Sequence, residues 1–417
     1  MNLLSIFALI TLAFANNCQL SSDGNYYCSQ TSKVYYENVG FSGSYNQVTN
    51  MDSNTGSCTS QPFSFSGDLA PLSELSVHFR GPLKLLQFGV YYPASGGSNK
   101  REDQECQPRH AHHQHKRAVE YVTHVVTVNN QPAVPSTLST VNPLSDGVNK
   151  AYRSDISTKS APTTTSSGTS TPSTAPASGD WVRSAYFTPN NANGLVFLNH
   201  FGGSGGSGVW DATFGNSLSY CNSDASGGAA SPQVLGDFTL PSNNEYLIMS
   251  DNKCDSSCGY VRTGSPAYKG FAGGSKIFVF EFEMPSDGTT GFNADMPAIW
   301  LLNAQIPRTL QYGAASCSCW STGCGELDLF EILSSGSNKL ICHLHTSQGA
   351  PAGTNYGGGG SQDWFQRPTS GSMKAAVVMT GSQIHILEVT DSFDATLSSA
   401  TVQGWINQPG SKAAIGY

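Results

Sequence analysis

The stretch that decides the fold is Gly325-Glu326-Leu327-Asp328-Leu329-Phe330-Glu331. It mixes three carboxylates with large apolar side chains, and turn-forming glycines and serines stand on either side, which is typical of a β-strand. Side chains alternate along a strand, so Glu326 and Asp328 share one face, whereas strict alternation sends Glu331 to the other. A β-bulge near Leu329-Phe330 would return Glu331 to the face of the other two acids.

Three acids on one face of an apolar strand are difficult to explain by stability, because like charges repel and burial costs desolvation free energy. Two carboxylates that flank a glycosidic bond do explain them. In a retaining mechanism one carboxylate attacks the anomeric carbon and the other protonates the leaving oxygen, from roughly 5 to 5.5 Å away. The alternatives are a solvated edge strand or a calcium site.

The acid strand resembles the catalytic signature Glu-x-Asp-x-x-Glu of the family-16 glycoside hydrolases, the laminarinase-like group. Residues 278–285 and 296–302 are similar to the strand pair that precedes this signature. Nearly the whole chain resembles the Tos-type fungal cell-wall proteins, which pair a cysteine-containing N-terminal domain with a laminarinase-like domain. The resemblance implies an endo-β-1,3-glucanase with Glu326 as nucleophile, Asp328 assisting it and Glu331 as acid/base. It implies neither a cofactor nor a metal ion.

The composition suits a secreted all-β protein. Charged residues are only 12% of the 417, the formal net charge is −8, and there are 44 glycines. No basic patch is visible, so nucleic acid is not an expected partner. Residues 1–15 have the apolar core and the Ala13-Phe14-Ala15 cleavage site of a signal peptide. We therefore expect an extracellular, cell-wall protein without a membrane anchor, whose partner is β-1,3-glucan. A covalent or disulfide link to the wall stays open.

The cysteines indicate disulfides. All eleven follow the signal peptide, and the secretory route is oxidising. The number is odd, so at least one thiol is free or paired with another molecule. Short spacings such as Cys254/Cys258 and Cys317/Cys319 also occur in zinc sites, but this route favours bridges. The cysteine-rich loop of residues 316–325 is unusual for a laminarinase; it would narrow the cleft, block it, or favour transfer over hydrolysis.

The chain divides into a signal peptide (residues 1–15), a small cysteine-containing β domain (16–95), a connector (96–178) and a β-sandwich domain (179–417). Tyrosines of the small domain are either half-buried or exposed for glucan binding. The connector holds a loose His-rich tract, a dibasic Lys116-Arg117 processing site, and a Ser/Thr/Pro-rich run that predicts a disordered, O-glycosylated stalk. A cut at the dibasic pair would separate the domains unless a disulfide joins them.

Short β-prone runs with Gly and Asn turns, and no convincing long amphipathic helix, predict an all-β fold with a C-terminal β-sandwich. The family resemblance implies that this sandwich is a jelly roll of the concanavalin-like kind. The run of residues 340–345 is expected to pair with the acid strand, which puts His343 and His345 on one face. If that face is concave, both lie near the acids and can bind substrate; the alternative is a packing or surface role.

Tryptophans are the candidate sugar platforms, because an extended cleft binds sugars through aromatic faces and a few polar groups. Trp320 is favoured because the neighbouring cysteines would fix its loop, while Trp300 is a second substrate-binding candidate whose alternative role is in the core. Three functions stay open: a retaining glucanase, a cell-wall glucan transglycosylase that uses the same covalent intermediate, and a non-catalytic glucan-binding structural protein.

Overall fold

The structure is a computed structural model that describes residues 18–21, 24–94 and 179–416. The predicted signal peptide and the predicted connector lie outside the described residues, and so do Cys106, the His-rich tract, the dibasic pair and the Ser/Thr/Pro-rich run.

Strands make up most of the regular structure. Among the described residues before residue 95 the strands are β1 (Gln19–Leu20), β2 (Tyr26–Tyr27), β3 (Lys33–Tyr36), β4 (Gly43–Asp52), β5 (Ser57–Phe65), β6 (Glu74–Arg80) and β7 (Lys84–Pro93). Eleven follow the connector: β8 (Trp181–Thr188), β9 (Asn191–Asn193), β10 (Leu195–Asn199), β11 (Trp210–Asp211), β12 (Gly215–Asn216), β13 (Ser219–Cys221), β14 (Gly228–Ala229), β15 (Glu245–Ser250), β16 (Phe271–Ala272), β17 (Lys276–Glu283) and β18 (Ala298–Asn303). The last eight are β19 (Glu326–Glu331), β20 (Lys339–Thr346), β21 (Gly357–Gly360), β22 (Phe365–Gln366), β23 (Met373–Thr380), β24 (Gln383–Glu388), β25 (Thr396–Leu397) and β26 (Ser411–Lys412).

Helices in the described residues are short. They are α1 (Gln305–Arg308), α2 (Ser399–Asn407) and 3-10 turns at Ser256–Cys258, Ala315–Cys317 and Trp320–Thr322. Within the described ranges, none is long and apolar enough to cross a membrane.

Two large sheets form a β-sandwich, which confirms the predicted all-β fold. The front sheet runs β14-β13-β10-β15-β6-β18-β19-β20-β21, with β16 on β6 and β22 on β20. The back sheet runs β25-β8-β7-β17-β23-β24-β3-β26, with β9 on β8. The main core fills the space between the sheets, and α2 covers the outer side of the back sheet through Val402 and Trp405.

Strand β6 shows how the sequence sets the two faces. Leu75, Val77 and Phe79 are fully buried in the main core, where burial of each stabilises the fold by about 1.5–3 kcal/mol. The intervening residues, which include His78 and Arg80, therefore point to the outer face of the front sheet. The polar side chains of that face determine the candidate site.

The N-terminal strands are built into both sheets, which differs from the separate small domain expected for residues 16–95. Strand β6 pairs with β15 and β18, β7 pairs with β8 and β17, and β3 pairs with β24 and β26. The physical reason is that apolar residues of the N-terminal strands, such as Phe79 and Phe88, pack on strands that lie after the connector. Most tyrosines of this segment are correspondingly buried, although Tyr26 is exposed.

Disulfides add covalent ties to this arrangement. The bridges among the described residues are Cys18–Cys28, Cys58–Cys317, Cys254–Cys258 and Cys319–Cys324. The Cys58–Cys317 bridge joins the segment before the connector to the segment after it. A cut in the connector would therefore leave the two segments joined by this bridge as well as by strand pairing.

Candidate active site

Strand β19 carries the predicted bulge. In its pairing with β18, Phe330 lies opposite Ile299 and Asp328 lies opposite Trp300, so Leu329 is an extra residue without a partner on β18. The pairing with β20 is interrupted between Asp328 and Glu331 as well. The bulge expected near Leu329-Phe330 is confirmed.

The bulge brings the three acids to one face. Leu327, Leu329 and Phe330 are all buried in the main core. The three acids Glu326, Asp328 and Glu331 therefore point outward from the front sheet. Asp328 is only 5% exposed, whereas Glu326 and Glu331 are partly exposed. Two accessible carboxyls thus flank a buried one.

A thiol on the neighbouring strand supports the bulge. Cys342 Sγ donates a hydrogen bond to the carbonyl oxygen of Leu329 at 2.8 Å. Burial, and secondarily the charge of Asp328, raise the pKa of the Cys342 thiol well above its usual range, so it stays protonated and can donate. Cys342 and Cys221 are the free thiols of the described residues, and both are buried.

The two predicted histidines lie beside the acids. His345 is opposite Glu326 on β20, and its Nε2 is 2.9 Å from Oδ2 of Asp328. His343 is opposite Asp328, with its ring 4.4 Å from that of His345. Burial and the neighbouring His345 lower the pKa of His343 to about 4, so this ring is neutral at physiological pH. The side chain of His345 is 40% exposed and can reach a ligand.

Trp320 contacts an acid directly. Its indole Nε1 donates a hydrogen bond to Oε2 of Glu326 at 2.5 Å. The loop that carries it is held by the Cys319–Cys324 and Cys58–Cys317 bridges. The expectation that cysteines fix this loop is confirmed, and the loop lies next to the Glu326 end of the acid strand.

The electrostatics of the acids follow from their burial and crowding. Burial first, and the charge of Asp328 second, raise the pKa of Glu326 to about 8, against the opposing effects of His345 and Trp320. Burial and the charge of Glu331 raise the pKa of Asp328 well above its usual range. Because both pKa values are raised, the Glu326–Asp328 pair holds a proton at neutral pH.

The N-terminal segment supplies a cation to the site. Arg80 on β6 donates from Nη2 to Oε1 of Glu331 at 3.3 Å, and its Nε donates to the carbonyl of Met296 at 2.7 Å. Trp300 lies opposite Asp328 and His78 and therefore shares the outer face of the front sheet. It is 5% exposed and stacks on His78 with ring centroids 5.2 Å apart, and its ring centre is 5.9 Å from the Arg80 guanidinium carbon. Because its ring is covered by these neighbours, Trp300 is better placed for a packing role than as an open platform for sugar binding.

A fourth acid, Glu245, lies on β15 at the other side of β6. Its Oε1 accepts hydrogen bonds from His78 Nδ1 at 3.2 Å and Gln311 Nε2 at 2.8 Å, and its Oε2 accepts one from the Tyr312 hydroxyl at 2.5 Å. Burial alone would raise the pKa of Glu245, but hydrogen bonds from His200 and His78 hold it well below its usual range. Glu245 is therefore a permanently charged anchor for the loop after α1.

Sequence reasoning missed Arg80, His78 and the Glu245 cluster. The signal for the first two was the alternation of polar and apolar residues in β6, which marks an outward polar face. Their proximity to the acids could not be inferred, because β6 precedes β18 by more than two hundred residues in the chain. In residues 18–21, 24–94 and 179–416, no group of three or more His, Cys, Asp or Glu side chains is placed to hold a metal ion.

Comparison with known proteins identifies a family. A family model described as "Cell wall protein YJL171C/Tos1, C-terminal" matches residues 179–405, and its N-terminal counterpart matches residues 32–93. No solved structure gives a significant match.

Close relatives align over nearly the whole chain. A Candida albicans protein named "Probable circularly permuted 1,3-beta-glucanase TOS1" is 54% identical over 100% of this chain and 98% of its own length. A Saccharomyces cerevisiae protein of the same name is 48% identical over 99% and 98%. A Schizosaccharomyces pombe relative, also called a probable circularly permuted 1,3-beta-glucanase, is 38% identical over 96% of each chain.

Proposed function

The chain belongs to the YJL171C/Tos1 family of cell wall proteins, and from that premise we propose that it is a secreted, retaining endo-β-1,3-glucanase acting on fungal cell-wall glucan. The observation that carries the proposal is the bulge at Leu329, which leaves Glu326, Asp328 and Glu331 on one outward face. Crowded and partly desolvated carboxyls destabilise a fold, so chemistry is the better reason for their presence.

The first step forms a covalent intermediate. A carboxylate oxygen of Glu326 attacks the anomeric carbon while Glu331 gives its proton to the departing glycosidic oxygen, and the glycosidic C–O bond breaks. Glu326 must be ionised for this step. A proton on Asp328 removes the repulsion between the two carboxylates, and the Trp320 Nε1–H stabilises the charge on Glu326.

The second step releases the sugar. Glu331, now a carboxylate, takes a proton from water as the water oxygen attacks the anomeric carbon, and the bond to Glu326 breaks. Arg80 donates a hydrogen bond from Nη2 to Oε1 of Glu331 at 3.3 Å and so helps to hold this carboxyl in position. His345, hydrogen-bonded to Asp328, is exposed enough to contact the sugar as well.

Substrate binding is assigned to the groups around the acids. Trp320 is partly exposed and contacts Glu326, so it can cover a sugar ring next to the reacting bond. The half-buried His343 and the exposed edge of His345 offer ring nitrogens to sugar hydroxyls. Trp300 is 5% exposed and packs against His78, so it supports the site by packing and offers no open face to a sugar.

The test is incubation of the secreted protein with laminarin and with reduced linear β-1,3-glucan oligosaccharides, beside the Glu326→Gln variant. New reducing ends and shorter products from the wild type alone are expected for a glucanase. Longer products without a net gain of reducing ends would indicate the transglycosylase instead. Retention of glucan without any change in its length would indicate a binding protein and would refute the catalytic roles of the three acids.

A further inference from the structure

We propose that Tyr312 is the platform of a second glucan subsite, remote from the acid triad; this inference rests on the glucanase function proposed above. Tyr312 is 59% exposed, yet its hydroxyl donates a hydrogen bond to Oε2 of Glu245 at 2.5 Å. An aromatic ring that is anchored by its polar end presents its apolar surface to solvent in a fixed orientation. Such a ring binds a sugar face with little loss of conformational freedom.

The anchor lies on the same sheet face as the acids. Glu245 is opposite Arg80, Arg80 is opposite Ala298, and Ala298 is opposite Glu331. Residues directly opposite one another in adjacent strands share a face. Three strand spacings of about 4.8 Å put Glu245 roughly 14 Å from Glu331. An oligosaccharide that lies across the strands, but not a single sugar ring, can reach from the acids to Tyr312.

A cavity next to Tyr312 completes the subsite. It has a volume of about 200 Å³, and its lining includes His200, Asn216, Thr309 and Gln311. The His200 ring lies 5.8 Å from the Tyr312 ring at an angle of 68°. An aromatic face beside amide, hydroxyl and imidazole groups matches a hexose unit, which has one apolar face and a rim of hydroxyls.

The subsite is rigid. Besides Tyr312, Glu245 binds Gln311 Nε2 at 2.8 Å, and Gln311 Oε1 is 3.0 Å from Nε2 of His200. Because the pKa of Glu245 is held well below its usual range, the carboxylate stays charged and keeps these contacts at neutral and mildly acidic pH. The subsite therefore adds affinity for longer chains without taking part in the chemistry.

The test uses the full chain with Glu326→Gln, so that oligosaccharides are bound and not cut. Binding of reduced linear β-1,3-glucan oligosaccharides from two to eight units is measured by calorimetry, with and without Tyr312→Ala. We expect Tyr312→Ala to bind the longest oligosaccharides about tenfold more weakly, because a tenfold change corresponds to the loss of one aromatic contact. The affinity for the shortest oligosaccharides should not change. Tyr312→Phe keeps the ring but loses the bond to Glu245 that orients it, and should bind the longest oligosaccharides with an affinity between those of the parent and Tyr312→Ala. Tyr26→Ala, at an equally exposed tyrosine of β2, is the matched control.

Three results would overturn the inference. If Tyr312→Ala and Tyr312→Phe bind long oligosaccharides as tightly as the parent, or if Tyr312→Ala weakens short and long oligosaccharides equally, there is no remote subsite, while the proposed glucanase stands. If the parent binds no oligosaccharide of any length and the wild type releases no reducing ends from laminarin, the proposed function itself fails and the inference falls with it.

Discussion

The indole Nε1 of Trp320 lies 2.5 Å from Oε2 of Glu326, so a disulfide-bonded loop reaches the carboxyl proposed to attack the sugar. Charge-assisted hydrogen bonds of this kind are stronger than neutral ones. The contact favours the ionised form of Glu326 against the burial that opposes it. The loop therefore has an electrostatic effect on this carboxyl.

Replacement of Trp320 by Phe should raise the pKa of Glu326, because the ring remains and only the donor is lost. A hydrogen bond to a charged group contributes about 1.5–3 kcal/mol, so kcat/KM on laminarin should fall by about ten- to a hundredfold. The loss should be largest at acidic pH, and the pH–rate profile should shift to higher pH. An unshifted profile would mean that Trp320 acts only as a sugar platform.

Glu326→Gln should make the protein more stable at high pH. The pKa of Glu326 is about 8 in the folded state and about 4.3 when unfolded. The folded state therefore binds more protons between these values, and the free energy of unfolding falls as the pH rises through that window. Glutamine cannot ionise, so the variant should gain roughly 3.5 kcal/mol relative to wild type between pH 5 and pH 8.

Denaturant unfolding of wild type and Glu326→Gln across pH 4 to 9 measures this difference. Glu283→Gln in the back sheet, at the far side of the molecule's core, is the control and should follow the wild-type curve. Parallel curves for wild type and Glu326→Gln would contradict the burial argument for this carboxyl.

Glu331→Gln should affect substrates according to their leaving groups. A general acid contributes about 10²- to 10⁴-fold, and we expect that loss on laminarin. An aryl β-glucoside with a good leaving group needs no protonation, so its cleavage should be slowed much less. Glu326→Gln should abolish turnover of both substrates. Equal losses on both substrates in Glu331→Gln would exclude Glu331 as the acid.

The thiol of Cys342 should matter for activity through the bulge. Cys342→Val leaves the Leu329 carbonyl without its donor, at a cost of about 1–3 kcal/mol in the free energy of unfolding, and it should displace Glu331. Cys342→Ser keeps a donor and should retain more activity. Cys221→Val, at the other buried thiol, should alter stability without altering the activity of the folded protein. Full activity in Cys342→Val would show that the thiol hydrogen bond is not needed to position Glu331.

The sequence predicted local features better than it predicted spatial neighbours. The bulge was predicted because strict alternation along the strand would send Glu331 to the opposite face from Glu326 and Asp328. This prediction depends only on residues that are adjacent in the chain. The pairing of β20 with β19 was predictable for the same reason, and it located His343 and His345. The β-prone runs 278–285, 296–302 and 340–345 likewise lie close to β17, β18 and β20, whereas no run was predicted at the β4–β5 hairpin.

What could not be predicted depends on pairing across the chain. Arg80 reaches Glu331 because β6 inserts between β15 and β18, and no periodic pattern in the sequence reports which strands become neighbours. Residues 16–95 were predicted to be a domain of their own for the same reason: the connector separates them in the sequence from the strands with which they pair. The contact of Tyr312 with Glu245 depends in addition on the path of an irregular loop.

The placement of the early strands in both sheets has a consequence for biosynthesis. Tyr36 pairs with Ile384 and Pro93 pairs with Trp181, so the first strands leave the ribosome long before their partners are made. Until then the apolar faces and unpaired edges of β6 and β7 are exposed. Such surfaces are prone to aggregation and are bound by chaperones. The candidate site needs β6 together with β18, β19 and β20, so it cannot assemble before the chain has been made through residue 346, more than 250 residues after β6.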